Sequence, residues 1–112
     1  MKHIIAVIRP EKLDDVRRSL EKVGCSGIMI SEIQGHGKQK GIVQQWRGEK
    51  YKVDLIPKVR LEVVVKDSDL ATIKKTIIDN ARTGEIGDGK MFISNVEEVV
   101  RIRTGEEGEV AL

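Results

Sequence analysis

Apolar positions fall in two rounds of the same order: a short β-branched run, a stripe at helical spacing, then a second short run. Ile4 to Ile8 predicts a strand covered on both faces, and Pro10 stops it. Leu13, Val16, Leu20 and Val23 then recur at helical spacing among charged residues, with Gly24 placed for a left-handed C-cap. From Gly27 to Ile33 the residues Ile28, Met29, Ile30 and Ile33 predict a second strand. After Pro57 the pattern repeats. Val59 to Val65 alternates and then saturates, as a strand does when only part of it faces water. Asp67, Ser68 and Asp69 are N-cap candidates, and Leu70, Ile73, Ile77 and Ile78 form the stripe of a second helix. Met91-Phe92-Ile93 predicts a fourth strand and Val96 to Ile102 a short fifth. Two βαβ units of similar length fold most simply into a four-stranded antiparallel sheet with both helices on one face, the ferredoxin-like α+β arrangement.

One segment is surplus to that plan. From Gly35 to Pro57 run more than twenty residues carrying Gly35, Gly37, Gly41 and Gly48 and the lysines Lys38, Lys40, Lys50 and Lys52, and near the tip stand Trp46, the only tryptophan, and Tyr51, the only tyrosine. A loop of this length without structure is uncommon unless it has a function. A lone aromatic among polar neighbours reads either as a packed anchor or as a contact for a partner.

The stretch from Arg82 to Lys90 holds three glycines and ends in lysine. Gly84 to Lys90 spells the first seven positions of a P-loop, whose amides wrap phosphates. Met91 stands where a magnesium-binding Ser or Thr belongs, and the loop runs from helix to strand, the reverse of P-loop context. With no helix N-terminus behind it, charge must come from elsewhere, and Arg101-Ile102-Arg103 offers two cations on one side of the expected fifth strand. The two readings are a phosphate cradle and a tight turn.

Composition adds limits. The 112 residues fit one domain, and 39% hydrophobic with 34% charged residues describes a soluble protein with a thin core, for which association is a natural source of further burial. Twenty basic against eighteen acidic residues give no field arguing for nucleic acid. Cys25, the sole cysteine, excludes an intrachain disulfide and reads as a small buried hydrophobe. The N-terminal apolar run is too short for a signal peptide and no run could span a bilayer, so a cytoplasmic protein is expected.

Five stretches together resemble the PII family of nitrogen-signalling proteins across essentially the whole chain: Gly37 to Gly41, Arg47 to Tyr51, Val53 to Val59, Thr83 to Lys90 and Arg101 to Glu106. The resemblance implies one domain over residues 1–112 with a regulatory loop at about 36–56, assembled as a homotrimer that binds ATP or ADP between neighbouring subunits. It implies further that 2-oxoglutarate binds at the loop's base when ATP and Mg2+ are present. The loop then carries the signal to the ammonium transporter, glutamine synthetase or a modifying enzyme, with recruitment to the inner membrane face only through the transporter. Phosphate contacts would fall on Gly87, Asp88, Gly89, Lys90, Arg101 and Arg103, with Lys38 contributing, and base contacts on Met29 and Val64. Gln39 would help hold the metal, Lys58 would pair with a carboxylate of 2-oxoglutarate, and Gly37, Lys40 and Gly41 would line its pocket. Trp46 and Arg47 would meet a partner, and Tyr51 matches the tyrosine that some members have uridylylated.

Departures narrow this picture. Met29 stands where many relatives have Thr, Glu85 where Lys is frequent, and Glu49 where serine-phosphorylated members carry Ser. Two rival classes are weaker. RNA-binding sheets stack bases on aromatics of their central strands, and neither Ile4 to Ile8 nor Val59 to Val65 contains one. A nucleotide hydrolase would need a group to position water, and Asp88 is the only obvious carboxylate for it beside the cradle, one that also suits capping the turn, so at most a weak ATPase is expected.

Overall fold

The computed structural model describes residues 1–36, 42–46, 49–53 and 55–112, with backbone pairing alone for residue 36 and for 42–46 and 49–53. Its strands are β1 Lys2–Ile8, β2 Met29–His36, β3 Ile42–Trp46, β4 Glu49–Val53, β5 Leu55–Val65 and β6 Lys90–Asn95. The helices are α1 Leu13–Lys22 and α2 Leu70–Ala81. The main sheet has the order β2-β5-β1-β6, all antiparallel, and β3 and β4 form a separate pair.

Register fixes which residues meet the helices. Ile4 lies opposite Val63 and Ile93, and Ala6 opposite Leu61 and Met91, so alternate residues of the two central strands share one face. Ile4, Ala6 and Ile8 of β1 and Val59, Leu61, Val63 and Val65 of β5 are buried there, with Val16 and Leu20 of α1 and Ile73, Ile77 and Ala81 of α2. This is the expected ferredoxin-like double βαβ fold with both helices on one face. The Ser19 hydroxyl donates to Asn80 Oδ1 at 2.9 Å between the helices. Cys25 is buried, which pushes its thiol up, as its role of small hydrophobe requires.

Helix α1 ends as Gly24 predicts. Gly24 takes φ 83°, its N–H donates to Glu21 O at 3.0 Å and that of Cys25 to Leu20 O at 2.9 Å, the double bond of a Schellman cap. At α2 the outcome differs. Asp67–Asp69 forms a 3-10 turn with no side-chain cap, and Asp67 instead pairs at 2.9 Å with the N-terminal ammonium, which lowers its pKa. Val23 is half exposed, outside the α1 stripe.

Other boundaries also shift. Strand β2 continues to His36 and β5 begins at Leu55, so both run past the core sheet into the surplus segment, where β3 and β4 pair. Strand β1 stops opposite Val59, leaving Leu55 to Lys58 paired with β2 alone, and Pro57 sits in that ladder opposite Gln34. No fifth core strand forms over Val96 to Ile102. The only pairing there is an isolated bridge between Val100 and Glu107, and residues 102–104 turn back on themselves. Thr104-Gly105 supplies the reversal, with Gly105 at φ 73°.

Among the described residues nothing covers the helix-free face, contrary to the two-sided burial expected of β1. Ile5, Val7 and Val64 are partly exposed there, and Phe92, opposite Ile5, is 56% exposed. A charged cluster interrupts them: Glu62 Oε2 lies 3.0 Å from His3 Nε2, and Glu62 Oε1 2.7 Å from Arg60 Nε, too poorly aligned for a hydrogen bond.

Leu61 is fully buried on a central strand between sheet and helices. Leu61→Ala is expected to lower stability by about 2–5 kcal/mol, through lost burial and the cavity left behind, as read from chemical denaturation.

Candidate functional site

The glycine-rich stretch joins α2 to β6, and its conformation is set by contacts from the sheet. Asp88 is the hub. Its Oδ2 accepts the N–H groups of Thr83 and Gly84, each at 2.8 Å, while Oδ1 accepts the Thr83 hydroxyl at 2.5 Å and Arg9 Nε at 3.0 Å. The Thr83 hydroxyl foremost, then Arg9 and the two amides, hold this carboxyl well below the usual carboxylate range, against the opposing effect of desolvation. Arg9 reaches the loop twice, its second nitrogen donating to Ile86 O at 2.8 Å. Lys58, only 8% exposed, donates from Nζ to Gly87 O at 2.5 Å.

Two carbonyls of the loop are therefore turned toward cations from β5 and the end of β1. Among the described residues no peptide bond is cis, so each N–H of the loop lies antiparallel to the carbonyl of its own peptide unit. Arg9 on Ile86 O thus aims the Gly87 N–H away from the sheet, and Lys58 on Gly87 O aims that of Asp88 away from Nζ. Among the described residues the Gly87 N–H has no hydrogen-bond acceptor. Gly87 sits in a turn with φ 105°, a conformation that a side chain would strain. Gly89 is constrained more severely: at φ 94°, an added Cβ would lie 1.7 Å from Val7 O. Lys90 follows as the first residue of β6, exposed and without an ion pair among the described residues.

A shallow hollow beside this loop is lined by Val7, Ile8, Ala81, Arg82, Gly89 and Lys90, among others. A second is lined by Pro10, Glu32, Ile33, Gln34, Pro57 and Val59 as well as by Lys58. Lys58 thus lines the second hollow and reaches the loop through Gly87 O. Burial chiefly, and then Arg9, push its pKa down, while Glu11 and Asp88 act in the opposite sense.

The expected nucleotide residues separate into two groups. Gly87, Asp88, Gly89 and Lys90 are together at the start of β6. Arg101 and Arg103 come after its far end, where Val96 N–H already bonds Met1 O, beyond roughly 17 Å of strand. Arg103 lies in a turn and Arg101 just before it, rather than the two side by side on a strand. Arg101 donates to Glu106 Oε1 at 3.0 Å and Val110 O at 2.9 Å, whereas Arg103 is exposed and has no ion pair among the described residues. Met29 is on the opposite edge strand, 53% exposed, and Val64 is on the helix-free face opposite His3. Lys38, Gly37, Gln39, Lys40, Gly41 and Arg47 lie outside the described residues, as do the side chains of Trp46 and Tyr51. Arg9 was not singled out by any sequence pattern, because its partner Asp88 is 79 positions away.

Because the folded Asp88 carboxyl is depressed, its contribution is complete above the unfolded value of about 4 and is lost as pH falls through the folded value. Asp88→Asn is expected to speed hydrogen exchange at the Thr83 and Gly84 amides near neutral pH, while the wild-type loop loses their protection only in strongly acid solution.

The nitrogen regulatory protein P-II family model matches residues 1–106. Nitrogen regulatory protein P-II 2 of Methanothermobacter thermautotrophicus is 54% identical over 112 residues, covering all of this chain and 97% of its own. Nitrogen regulatory protein P-II of Haemophilus influenzae is 54% identical, and P-II 1 of Escherichia coli strain K12 51% identical, each over the full length of both chains. A loop organised by Asp88 and entered through Gly89, on a double βαβ sheet, is therefore that of a chain belonging to the nitrogen regulatory protein P-II family.

Proposed function

We propose that the chain is a nitrogen- and energy-status sensor that binds ATP or ADP at the Thr83 to Lys90 loop. It takes 2-oxoglutarate beside Lys58 when Mg-ATP is present, and it acts on targets such as the ammonium transporter or glutamine synthetase through the segment at about 36–56. The observation that carries this reading is the Gly87 N–H, aimed outward by the Arg9 contact and without an acceptor among the described residues, next to the exposed Lys90. Aligned amides and a nearby cation are what a phosphate group needs. The curated relatives are named as regulatory proteins, which favours nitrogen signalling.

The separation of Arg101 and Arg103 from the loop supports a site shared between copies, since the two halves are at opposite ends of one sheet. The apolar helix-free face, with Ile5, Val7, Val64 and Phe92, supports a trimer that covers it. Magnesium would be held chiefly by phosphate and effector oxygens, because no cluster of acidic or imidazole ligands occurs among the described residues, and it commonly keeps few protein ligands. A regulatory role is favoured over hydrolysis by Asp88, whose oxygens are engaged by four donors and whose low pKa makes it a poor base. No helix among the described residues is long and apolar enough to cross a membrane, so action at the cytoplasmic membrane face would run through a transporter.

Lys90→Ala and Arg103→Ala are each expected to weaken ATP binding by about 1.5–3 kcal/mol in calorimetric titration, the range for hydrogen bonds to charged groups, and unchanged affinity in both removes the site. Light scattering at micromolar concentration is expected to report a trimer. Trp46, as the only tryptophan, is expected to change its emission when 2-oxoglutarate joins the Mg-ATP form and to change little with ADP. Equal 2-oxoglutarate affinity with ATP, with ADP and without nucleotide contradicts the ordered binding.

A further inference from the structure

We infer that Lys58 is a positioning residue of the nucleotide loop, acting through the carbonyl of Gly87, and that it links this loop to the hollow beneath the β2–β5 ladder. The inference rests on the reading of the loop as a phosphate site. It adds that the lysine facing the effector also determines the loop's geometry before any effector arrives.

Lys58 belongs to β5, opposite Ile33, where β5 has passed the end of β1. Its stem crosses the bare backbone of Gly35, whose missing Cβ would lie 3.2 Å from Lys58 Cγ. The stem is thereby covered and the ammonium carried to Gly87 O at 2.5 Å. A lysine with 8% exposure is unusual unless paired, and its hydrogen-bond partner here is a neutral carbonyl. Arg9 adds repulsion, while Glu11 and Asp88 offset part of it, so the ammonium is only partly compensated.

An ammonium has three donors, and one is used by Gly87 O. The others have no acceptor among the described residues, and Lys58 lines a hollow with Pro10, Gln34 and Pro57, where Glu32 also stands at the exposed rim. A carboxylate entering there would complete the charge of Lys58 without displacing it from Gly87. The bond to Gly87 O holds the Gly87–Asp88 peptide plane, and Gly87 at φ 105° has the torsional freedom to rotate once released. Rotation of that plane turns the Asp88 N–H out of the cradle. An anion that steadies Lys58 therefore steadies the amide beside the phosphates, and linkage requires the effect to be mutual.

The experiment is calorimetric titration of ATP and of ADP, with no 2-oxoglutarate present, into wild type, Lys58→Met and Lys58→Arg. Lys58→Met is expected to weaken both nucleotides by roughly three- to tenfold through loss of the charged donor, and Lys58→Arg, which retains one, to restore most of the affinity. Wild-type affinity in Lys58→Met overturns the link while leaving the nucleotide site standing. No nucleotide binding by the wild type itself defeats both readings. A measurement on the unmutated protein covers the case in which Lys58→Met fails to fold: the Lys58 ammonium resonance in proton–nitrogen NMR is expected to shift on adding ADP alone, and an unmoved resonance overturns the proposal.

Discussion

The ion pair between Arg9 and Asp88 is the contact on which the candidate site depends. It spans the junction between the end of β1 and a loop that carries no regular structure of its own, and Asp88 Oδ1 lies 3.0 Å from Arg9 Nε. Each partner does more than neutralise the other. The carboxylate gathers the Thr83 and Gly84 amides that α2 leaves behind, and the guanidinium takes a carbonyl two residues earlier. A partly exposed pair of this kind adds only modestly to stability by itself. Here the gain is conformational, because a loop with three glycines is costly to order and these bonds offset that cost locally.

Much of the fold was legible because burial follows period. The alternation in Val59 to Val65 and the spacing of Ile73 and Ile77 reappear as one core, and Gly24 closes α1 in the left-handed conformation that a Cβ would strain. Failures occurred where competition between local partners decides the outcome. Asp67 to Asp69 have the side chains of N-caps, yet the N-terminal ammonium claims Asp67. Val96 to Ile102 has the composition of a strand, but beyond Asn95 the segment pairs only with its own return, through one bridge between Val100 and Glu107.

The site was legible in its glycines and illegible in its supports. Gly87 and Gly89 stand out as turn residues in any reading of the chain, whereas Arg9 and Lys58 look like solvated charges beside prolines until the fold brings them under the loop. Lys58 and Val59 are consecutive and both buried, which no single-faced alternation allows. The explanation is that the sheet has a different neighbour on each side at that row: the helices meet Val59, and the loop meets Lys58.

Pro57 gives this row a further property. Below Val59 the strand β5 has lost β1 and, among the described residues, pairs on one side only, with β2. Open edges are templates for unwanted pairing between molecules, and proteins blunt them with proline and lysine. Pro57 offers no N–H to a stray strand, and Lys58 would have to give up its bond to Gly87 O to make room for one. The dipeptide that leads into the core sheet thus carries two features that disfavour a further strand on β5, a missing donor and a side chain already committed to the loop.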